Sequence, residues 1–237
     1  MLCQFTVKNF KSIRDEVTFD MQAAAISEHE DRIIIDKDEE KYLPVSAIYG
    51  PNGGGKSNVL AALHTLVAKV LRPLFATEDS EEKVLLPKKI IVEPFVFSES
   101  KDEPTEFELF FRTAVSEYRY ILHVKRELVL YESLDRVKLE TGRKSALFTR
   151  DENGIVLKGA FAKLKVSDEL SKTLTLLSYL GIAYKGNAVV KDVLSWFEYG
   201  IEFLNYGNPI QELRMAVSTS EEVKQLMLQM IQEMDLD

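Results

Sequence analysis

The beginning of the chain alternates between apolar and polar residues. Leu2–Lys8 places an apolar side chain at every second position, which is typical of a half-buried β-strand. Glu16–Asp20 continues the alternation and is predicted to be the antiparallel partner of the first strand. The residues between them, Lys11–Asp15, combine charge with turn-forming chemistry. We therefore predict two antiparallel strands joined by a charged turn.

Two short apolar runs follow, and a glycine-rich stretch comes after the second. Ile33–Ile35, followed by Asp36, predicts a short strand or a covered loop. Val45–Tyr49 predicts a strand directly before Gly50. Helical spacing of apolar residues begins at Asn58, and Pro73 is predicted to end that helix. The stretch therefore predicts a strand, a glycine loop and a helix in succession.

Residues 90–158 form a succession of β patterns. The predicted strands are Ile91–Phe97, Thr105–Val115, Glu117–Lys125, Leu128–Leu139, Ala146–Arg150 and Ile155–Lys158. Asn153-Gly154 is the strongest hairpin dipeptide in the chain. The pattern predicts an antiparallel meander. Its aromatic residues alternate along the strands, which favours sheet core over a base-stacking platform; they are Phe107, Phe111, Tyr118, Tyr120 and Tyr131.

Helical spacing returns after Gly159. One apolar stripe, Leu170–Leu180, is predicted to end near Gly181, and another, Val189–Phe197, near Gly200. We therefore predict two short helices in this part of the chain.

A final helix is predicted to begin at a capping box formed by Thr219 and Glu222. Its apolar face, Val223–Met234, is rich in methionine, and such a face suits either packing within the protein or docking of a partner.

Composition and charge narrow the class of protein. The 237 residues are 46% hydrophobic, which is enough to bury a core, and the net charge of -8 gives no general footprint for nucleic acid. The single cysteine, Cys3, permits neither an internal disulfide nor a cysteine-based metal cluster. The sequence shows no signal segment and no membrane-spanning run, so we predict a cytoplasmic protein that does not contact a membrane.

The stretch Gly50–Ser57, with the sequence Gly-Pro-Asn-Gly-Gly-Gly-Lys-Ser, has the spacing of a phosphate-binding loop. Such a loop surrounds the β-phosphate with backbone N–H groups, its lysine reaches the β- and γ-phosphate oxygens, and its serine hydroxyl ligates Mg²⁺. Lys56 and Ser57 occupy these two positions. We predict ATP and Mg²⁺ as cofactors, with Ser57 as the metal ligand from this loop.

The loop alone does not choose among kinases, GTPases and ATPases. A GTPase needs an Asn-Lys-x-Asp guanine reader, and the sequence has none. Asp151–Gly154 matches Asp-x-x-Gly but lies within the β-meander, where a hairpin turn explains it better. Small-molecule kinases usually carry a basic lid, whereas the region after the first predicted helix is acidic.

Two motifs together resemble a known family. The strand end Asn9-Phe10-Lys11-Ser12 and the loop Gly50–Asn58 resemble the N-terminal lobe of ABC-type ATPase heads of the RecF and SMC kind. The resemblance is strongest to AAA/ABC ATPases of the OLD-like and abortive-infection groups, which serve in anti-phage defence. It is specific from Met1 to about Leu71, and Pro94–Phe97 looks like the β-subdomain of the same group.

The resemblance implies a fold, three segments and a set of site residues. The expected fold is α/β: a P-loop core at residues 1–89, an antiparallel β-subdomain at 90–159 and an incomplete helical region at 160–237. Lys56 is the expected catalytic residue. The expected nucleotide-binding residues are Asn52, Gly53, Gly54, Gly55, Lys56, Ser57, Asn58, Lys11, Ser12 and Arg14. On charge alone, a solvated loop is the favoured interpretation for Lys11 and Arg14, and the resemblance brings a place beside the nucleotide level with it.

Complete heads of this family contain motifs that do not follow the loop here. These motifs are a Leu-Ser-Gly-Gly signature, a Walker B Asp-Glu pair and a switch histidine, and no glutamine in this sequence is assigned to the Q-loop of such heads. Mg²⁺ would therefore have Ser57 but no Walker B carboxylate, and an attacking water would have no base. We expect the front half of an ATPase, through truncation, processing or a split gene, with negligible hydrolysis when isolated.

Three hypotheses for function follow. The first is the ATP-binding lobe of an ABC-type head that works as a head-to-head homodimer. The second is a nucleotide-ordered scaffold whose helical region docks an effector such as a nuclease or toxin. The third is direct engagement of DNA, which the net charge of -8 disfavours.

Overall fold

A computed structural model describes residues 1–25, 30–75, 90–97, 99–167 and 170–203, together with residues 221, 224, 225, 228 and 229. The chain divides into two compact units, Met1–Ile201 and Glu202–Asp237. In the second unit, Glu202 and Phe203 have no regular secondary structure, and the described residues from 221 onward are helical. The predicted capping box at Thr219 and Glu222 and most of the predicted methionine-rich face lie outside the described residues.

The first unit is built on a seven-stranded antiparallel sheet with strand order β2-β1-β5-β6-β7-β8-β9. The strands are β1 (Leu2–Lys8), β2 (Val17–Asp20), β5 (Thr105–Arg112), β6 (Ser116–Lys125), β7 (Leu128–Lys138), β8 (Lys144–Asp151) and β9 (Gly154–Leu157). A separate two-stranded hairpin consists of β3 (Ile34–Ile35) and β4 (Lys41–Tyr42). The predicted meander is confirmed from β5 to β9, including the hairpin turn at Asn153-Gly154.

The described residues of the first unit form three helices: α1 (Lys56–Phe75) lies between β4 and β5, and α2 (Leu176–Ala183) and α3 (Ala188–Tyr199) follow β9. Short 3-10 turns lie at Glu30–Arg32, Glu99–Asp102 and Gly159–Phe161. The predicted α/β fold is thus confirmed by an antiparallel sheet combined with helices.

The core lies between one face of the sheet and the helices. Phe111 of β5 contacts Trp196 and Phe197 of α3, with ring centroids 4.6 and 5.5 Å apart. Phe5 of β1 stacks on Phe107 of β5. The predicted core aromatics of β5 and β6 are buried, as the alternation indicates. Tyr131 is half-buried and lies against His123 on the same sheet.

A buried arginine joins the β3–β4 hairpin to the sheet. The Arg112 guanidinium donates to Asp36 at 2.9 Å, to Asp38 at 2.6 and 2.8 Å and to Glu117 at 2.7 Å. Its cation also lies 5.1 Å from the ring centroid of Tyr42, which is buried. The hairpin that precedes the glycine loop is therefore fixed to β5 and β6.

Three predicted boundaries are wrong. Ile91–Phe97 forms no strand; Val92 alone makes a β-bridge, to Arg126. Pro73 does not end α1, which extends two residues further to Phe75, although the proline itself has no N–H to donate to the preceding turn. The helix predicted from Leu170 begins at Leu176, where Thr175 caps it.

Gly181, predicted near a helix end, lies inside α2. A Cβ there would meet Leu194 of α3 at 2.5 Å and Leu74 of α1 at 2.7 Å. This glycine therefore permits close packing of three helices. The boundary near Gly200 is confirmed, since Gly200 caps α3.

The expected domain boundaries at residues 89 and 159 stay predictions, because no feature of the structure tests them. β1 and β2, from the first expected segment, pair into the same sheet as the meander through β5.

Candidate nucleotide site

The segment that enters the glycine loop has no regular secondary structure. Its last described backbone anchor is the Leu43 N–H, which donates to the Met21 carbonyl at 2.7 Å. Val45–Tyr49, predicted to be a strand, is not paired with any strand in the part of the chain that the structure describes. This prediction is wrong for the described chain because a strand forms only where a neighbouring strand accepts and donates its backbone hydrogen bonds.

The loop itself is folded tightly between residues 50 and 55. The Gly54 N–H donates to the Pro51 carbonyl at 3.1 Å, which closes a turn. Gly53 and Gly55 have φ values of 80° and 86°, a region in which a Cβ is strained. Glycine at these positions therefore lets the backbone make the curvature that a phosphate cradle needs.

Lys56 begins helix α1 and folds back over the loop. Its Nζ donates to the Gly50 carbonyl at 2.7 Å and to the Pro51 carbonyl at 2.8 Å. Ser57 is exposed on the first turn of the same helix. The first N–H groups of a helix have no intrahelical acceptor and carry partial positive charge, so this end of α1 suits an anion.

The β1–β2 turn lies against the loop. The Ser12 Oγ accepts a hydrogen bond from the Asn58 Nδ2 at 2.7 Å. A Cβ on Gly55 would lie 3.1 Å from the same oxygen, so the hydroxyl fills the space beside this glycine. Among the residues expected from the resemblance, the structure thus brings Ser12 into contact with Gly55 and Asn58.

Lys11 and Arg14 belong to the same turn but have other contacts. The Lys11 Nζ lies 5.4 Å from the Phe10 ring centroid. Arg14 donates to both carboxylate oxygens of its neighbour Asp15, and this hydrogen bonding lowers the pKa of the Asp15 carboxyl. Neither contact joins these two cations to the glycine loop, and their part in nucleotide binding stays a prediction. Asn52 lies on the exposed turn of the loop.

Asn9 is a residue of this region that the sequence patterns did not indicate as functional. It is fully buried at the end of β1 and has a φ of 56°. Its side chain bonds the backbone of residues 95, 103 and 104. An asparagine directly before a predicted turn is a signal that could have indicated it, since asparagine tolerates positive φ better than most residues.

The loop fits a nucleoside triphosphate. Glycines leave room for the phosphates, Lys56 supplies a cation and the start of α1 supplies N–H donors. A single protein ligand, the Ser57 hydroxyl, suits Mg²⁺, which usually keeps waters and phosphate oxygens as its other ligands. Among the described residues, no group of three or more His, Cys, Asp or Glu side chains could hold a metal ion.

A family model described as "AAA domain, putative AbiEii toxin, Type IV TA system" matches residues 45–190. The match covers more than half of the chain and includes the glycine loop, α1 and the whole meander. The chain belongs to this AAA-domain family. No curated protein matches the chain.

Membership agrees with the predicted resemblance to AAA/ABC-type ATPases of the abortive-infection kind. It assigns the chain a P-loop ATPase type of function, with nucleotide binding and ATPase chemistry in general, and Mg²⁺ is the usual metal of such domains. Among the described helices, none combines the length and apolarity needed to cross a lipid bilayer.

Proposed function

We propose that this chain is the nucleotide-binding lobe of an ABC-type ATPase head, and that a second lobe supplies the catalytic half. The observation that carries the proposal is the exposure of apolar side chains on the segment directly before the glycine loop. Val45, Ile48 and Tyr49 expose 77%, 37% and 90% of their surface. Apolar side chains on a segment that pairs with no strand among the described residues indicate a surface that another part of a protein covers.

Further apolar exposure lies on neighbouring parts of the fold. Leu60 on α1 is 52% exposed and Phe97 is 87% exposed. Phe97 belongs to the segment 91–97, which contacts the β1–β2 turn through the Lys11 N–H and the Glu93 carbonyl. A second lobe that paired with Val45–Tyr49 would bury part of this surface and add strands beside the loop.

The residues present bind and orient the nucleotide. The N–H groups of Gly53 to Lys56 form the anion cradle, and Lys56 exchanges its carbonyl partners for the β- and γ-phosphate oxygens. The Ser57 hydroxyl holds Mg²⁺, which neutralises charge on the phosphates when bound. The second lobe supplies a Walker B carboxylate, a water-positioning residue and the signature motif.

The biological setting proposed is bacterial anti-phage defence or DNA maintenance. The family description names an AbiEii toxin and a type IV toxin–antitoxin system, which supports a defence role. A completed head of this type is proposed to sandwich ATP as a homodimer, and an effector such as a nuclease or toxin is the proposed partner.

Titration of the purified chain with Mg²⁺-ATP, by calorimetry or with a fluorescent analogue, tests nucleotide binding. Lys56→Ala removes two or more charge-assisted hydrogen bonds to phosphate, so affinity should fall by about a hundredfold or more. Lys191→Ala, at an exposed lysine of α3, is the matched control and should bind as the wild type does. Equal ATP affinity in the wild type and in Lys56→Ala would contradict the proposal.

An ATP turnover assay tests the proposal that a second lobe supplies the catalytic half of the head. The chain alone should bind ATP and hydrolyse it negligibly, because the sequence after the loop shows no Walker B Asp-Glu pair. Brisk turnover that Lys56→Ala abolishes would show that the chain carries its own catalytic carboxylate. Adding a polypeptide that carries a Walker B Asp-Glu pair and a signature motif of this type of head should restore hydrolysis.

A further inference from the structure

Asn9 connects three separate segments of the first unit. Its Nδ2 donates to the Glu103 carbonyl at 3.0 Å and to the Pro104 carbonyl at 3.2 Å. Its Oδ1 accepts from the Phe95 N–H at 3.0 Å, and its backbone carbonyl accepts from the Thr105 hydroxyl at 2.6 Å. The end of β1 is therefore hydrogen-bonded both to residue 95 and to residues 103–105.

Both the backbone and the side chain at this position require asparagine. A φ of 56° is strained for most residues, and asparagine and glycine are the usual occupants of that region. Only asparagine of these two provides both the donors and the acceptor that the three backbone groups need. Because Asn9 is fully buried, its loss would leave these groups without water as a substitute.

The turn that follows Asn9 is short and closely held. The Phe10 N–H donates to the Ile13 carbonyl at 2.8 Å, and the Ile13 N–H donates back to the Phe10 carbonyl at 2.7 Å. The Lys11 N–H donates to the Glu93 carbonyl at 2.9 Å, and Lys11 also has a positive φ, of 50°. Ser12 is thereby held in one position at the tip of the turn.

Ser12 is also where the turn touches the glycine loop. Its Oγ accepts from the Asn58 Nδ2 at 2.7 Å and lies beside the space above Gly55. The Ser12 hydroxyl and the Asn58 amide nitrogen are thus engaged with each other. A continuous set of hydrogen bonds and contacts runs from Asn9 through the turn to the loop.

We propose that Asn9 is a positioning residue for the nucleotide loop, acting through the Ser12–Asn58 hydrogen bond. The inference deepens the proposed function, since it rests on the loop being the nucleotide site. Ser12 and Asn58 then support the loop from outside the phosphate cradle. The Asn9 hydrogen bonds to residues 95, 103 and 104 make the loop's position depend on the segment between α1 and β5.

Asn9→Gly is the decisive variant because glycine keeps the positive φ and removes only the side-chain hydrogen bonds. Asn187→Gly is its matched control. Asn187 caps α3 by accepting from the Val189 and Val190 N–H groups at 3.0 and 3.2 Å, so the same substitution removes asparagine hydrogen bonds at another place.

Two measurements are made on the whole chain. Without nucleotide, amide hydrogen exchange at residues 53–58 should be about tenfold faster in Asn9→Gly and unchanged in Asn187→Gly, although both variants lose thermal stability. With Mg²⁺-ATP, Asn9→Gly should bind about five- to tenfold more weakly, which corresponds to one lost hydrogen bond. Ser12→Ala should reproduce both effects, and the double variant should add little to either, because both changes act through one contact.

The proposal is overturned if amide hydrogen exchange at residues 53–58 is unchanged in a folded Asn9→Gly chain. It is also overturned if this exchange is accelerated equally in the Asn187→Gly control. If Asn9→Gly does not fold, Ser12→Ala decides, and normal loop exchange in that variant overturns the proposal. The exchange measurement needs no nucleotide. A wild-type chain that fails to bind ATP therefore contradicts the proposed function separately, while loop exchange still decides the role of Asn9.

Discussion

The buried carboxylate of Glu132 should contribute measurably to the stability of the first unit. Glu132 lies on β7, is fully buried and faces the start of α2. Its oxygens accept from the N–H groups of Leu176 at 2.6 Å and Leu177 at 2.9 Å, and from the Tyr120 hydroxyl at 3.0 Å. The amides of Leu176 and Leu177 lie in the first turn of α2 and have no intrahelical acceptor. The Glu132 carboxylate on β7 therefore caps this helix.

Glu132→Gln keeps the shape of the side chain and replaces one acceptor oxygen with an NH₂ group. One buried donor then lacks a partner, which costs about 1–3 kcal/mol, and the remaining hydrogen bonds lose their charge assistance. Burial raises the pKa of Glu132, more than the helix amides, Tyr120 and the nearby Arg150 lower it. Removing the charge therefore relieves some desolvation, and we expect a net loss of about 2 kcal/mol.

A loss of this size should lower Tm by about 4–8 °C in a chain of this length, measured by circular dichroism at neutral pH. Glu106→Gln is the control. Glu106 is partly exposed on β5 and pairs with Lys8 at 3.1 Å, and exposed pairs contribute less than about 1 kcal/mol. If Glu132→Gln lowers Tm no more than Glu106→Gln does, the carboxylate does not cap α2.

Three further changes test other parts of the fold. Gly181→Ala should lower stability by about 1 kcal/mol in a thermal melt, because overpacking between three helices outweighs the gain in helix propensity; a higher Tm would contradict the tight packing. Arg112 lowers the pKa of Asp38, so the stability this pair gives is present above the unfolded pKa near 3.8 and is lost as the pH falls through the folded value. Denaturant unfolding at pH 7 and pH 3 should accordingly show a larger acid loss in the wild type than in Asp38→Asn, and equal losses would refute the assignment. Gly55→Ala should weaken Mg²⁺-ATP binding at least about tenfold and also lower Tm, since φ is 86° and the added Cβ meets Ser12; unaltered affinity would mean that the loop tolerates a side chain.

Local patterns predicted the elements that carry their own periodicity. β1 has the predicted bounds, Leu2–Lys8, because one face of the strand is fully buried and the other is mostly half-buried. The end of α3 at Gly200 and the hairpin at Asn153-Gly154 follow from residues whose backbone preferences act within a few positions.

The wrong predictions share a different cause, which is dependence on partners distant in sequence. Val45–Tyr49 has the composition of a strand but lacks a neighbouring strand in the described chain. Gly181 resembles a helix end, yet its role comes from side chains of two other helices. In the same way, the glycine loop is evident from spacing, whereas the Ser12–Asn58 contact joins residues 46 positions apart. Asn9 depends on three backbone groups at least 86 positions away.

The loop and the segment that enters it are held by different parts of the chain, and this separation has a mechanistic consequence. The loop is shaped by its own Gly54–Pro51 turn, by Lys56 on the loop carbonyls and by Ser12 against Gly55. None of these contacts uses Val45–Tyr49, so the loop does not need a paired strand in order to fold. Nucleotide binding and association with a second lobe should therefore be separable events. Because Lys56 already lies over the mouth of the loop, a phosphate has to compete only with two backbone carbonyls for the lysine. Under the function proposed above, ATP should bind before the catalytic half arrives, and this order should limit hydrolysis to completed heads.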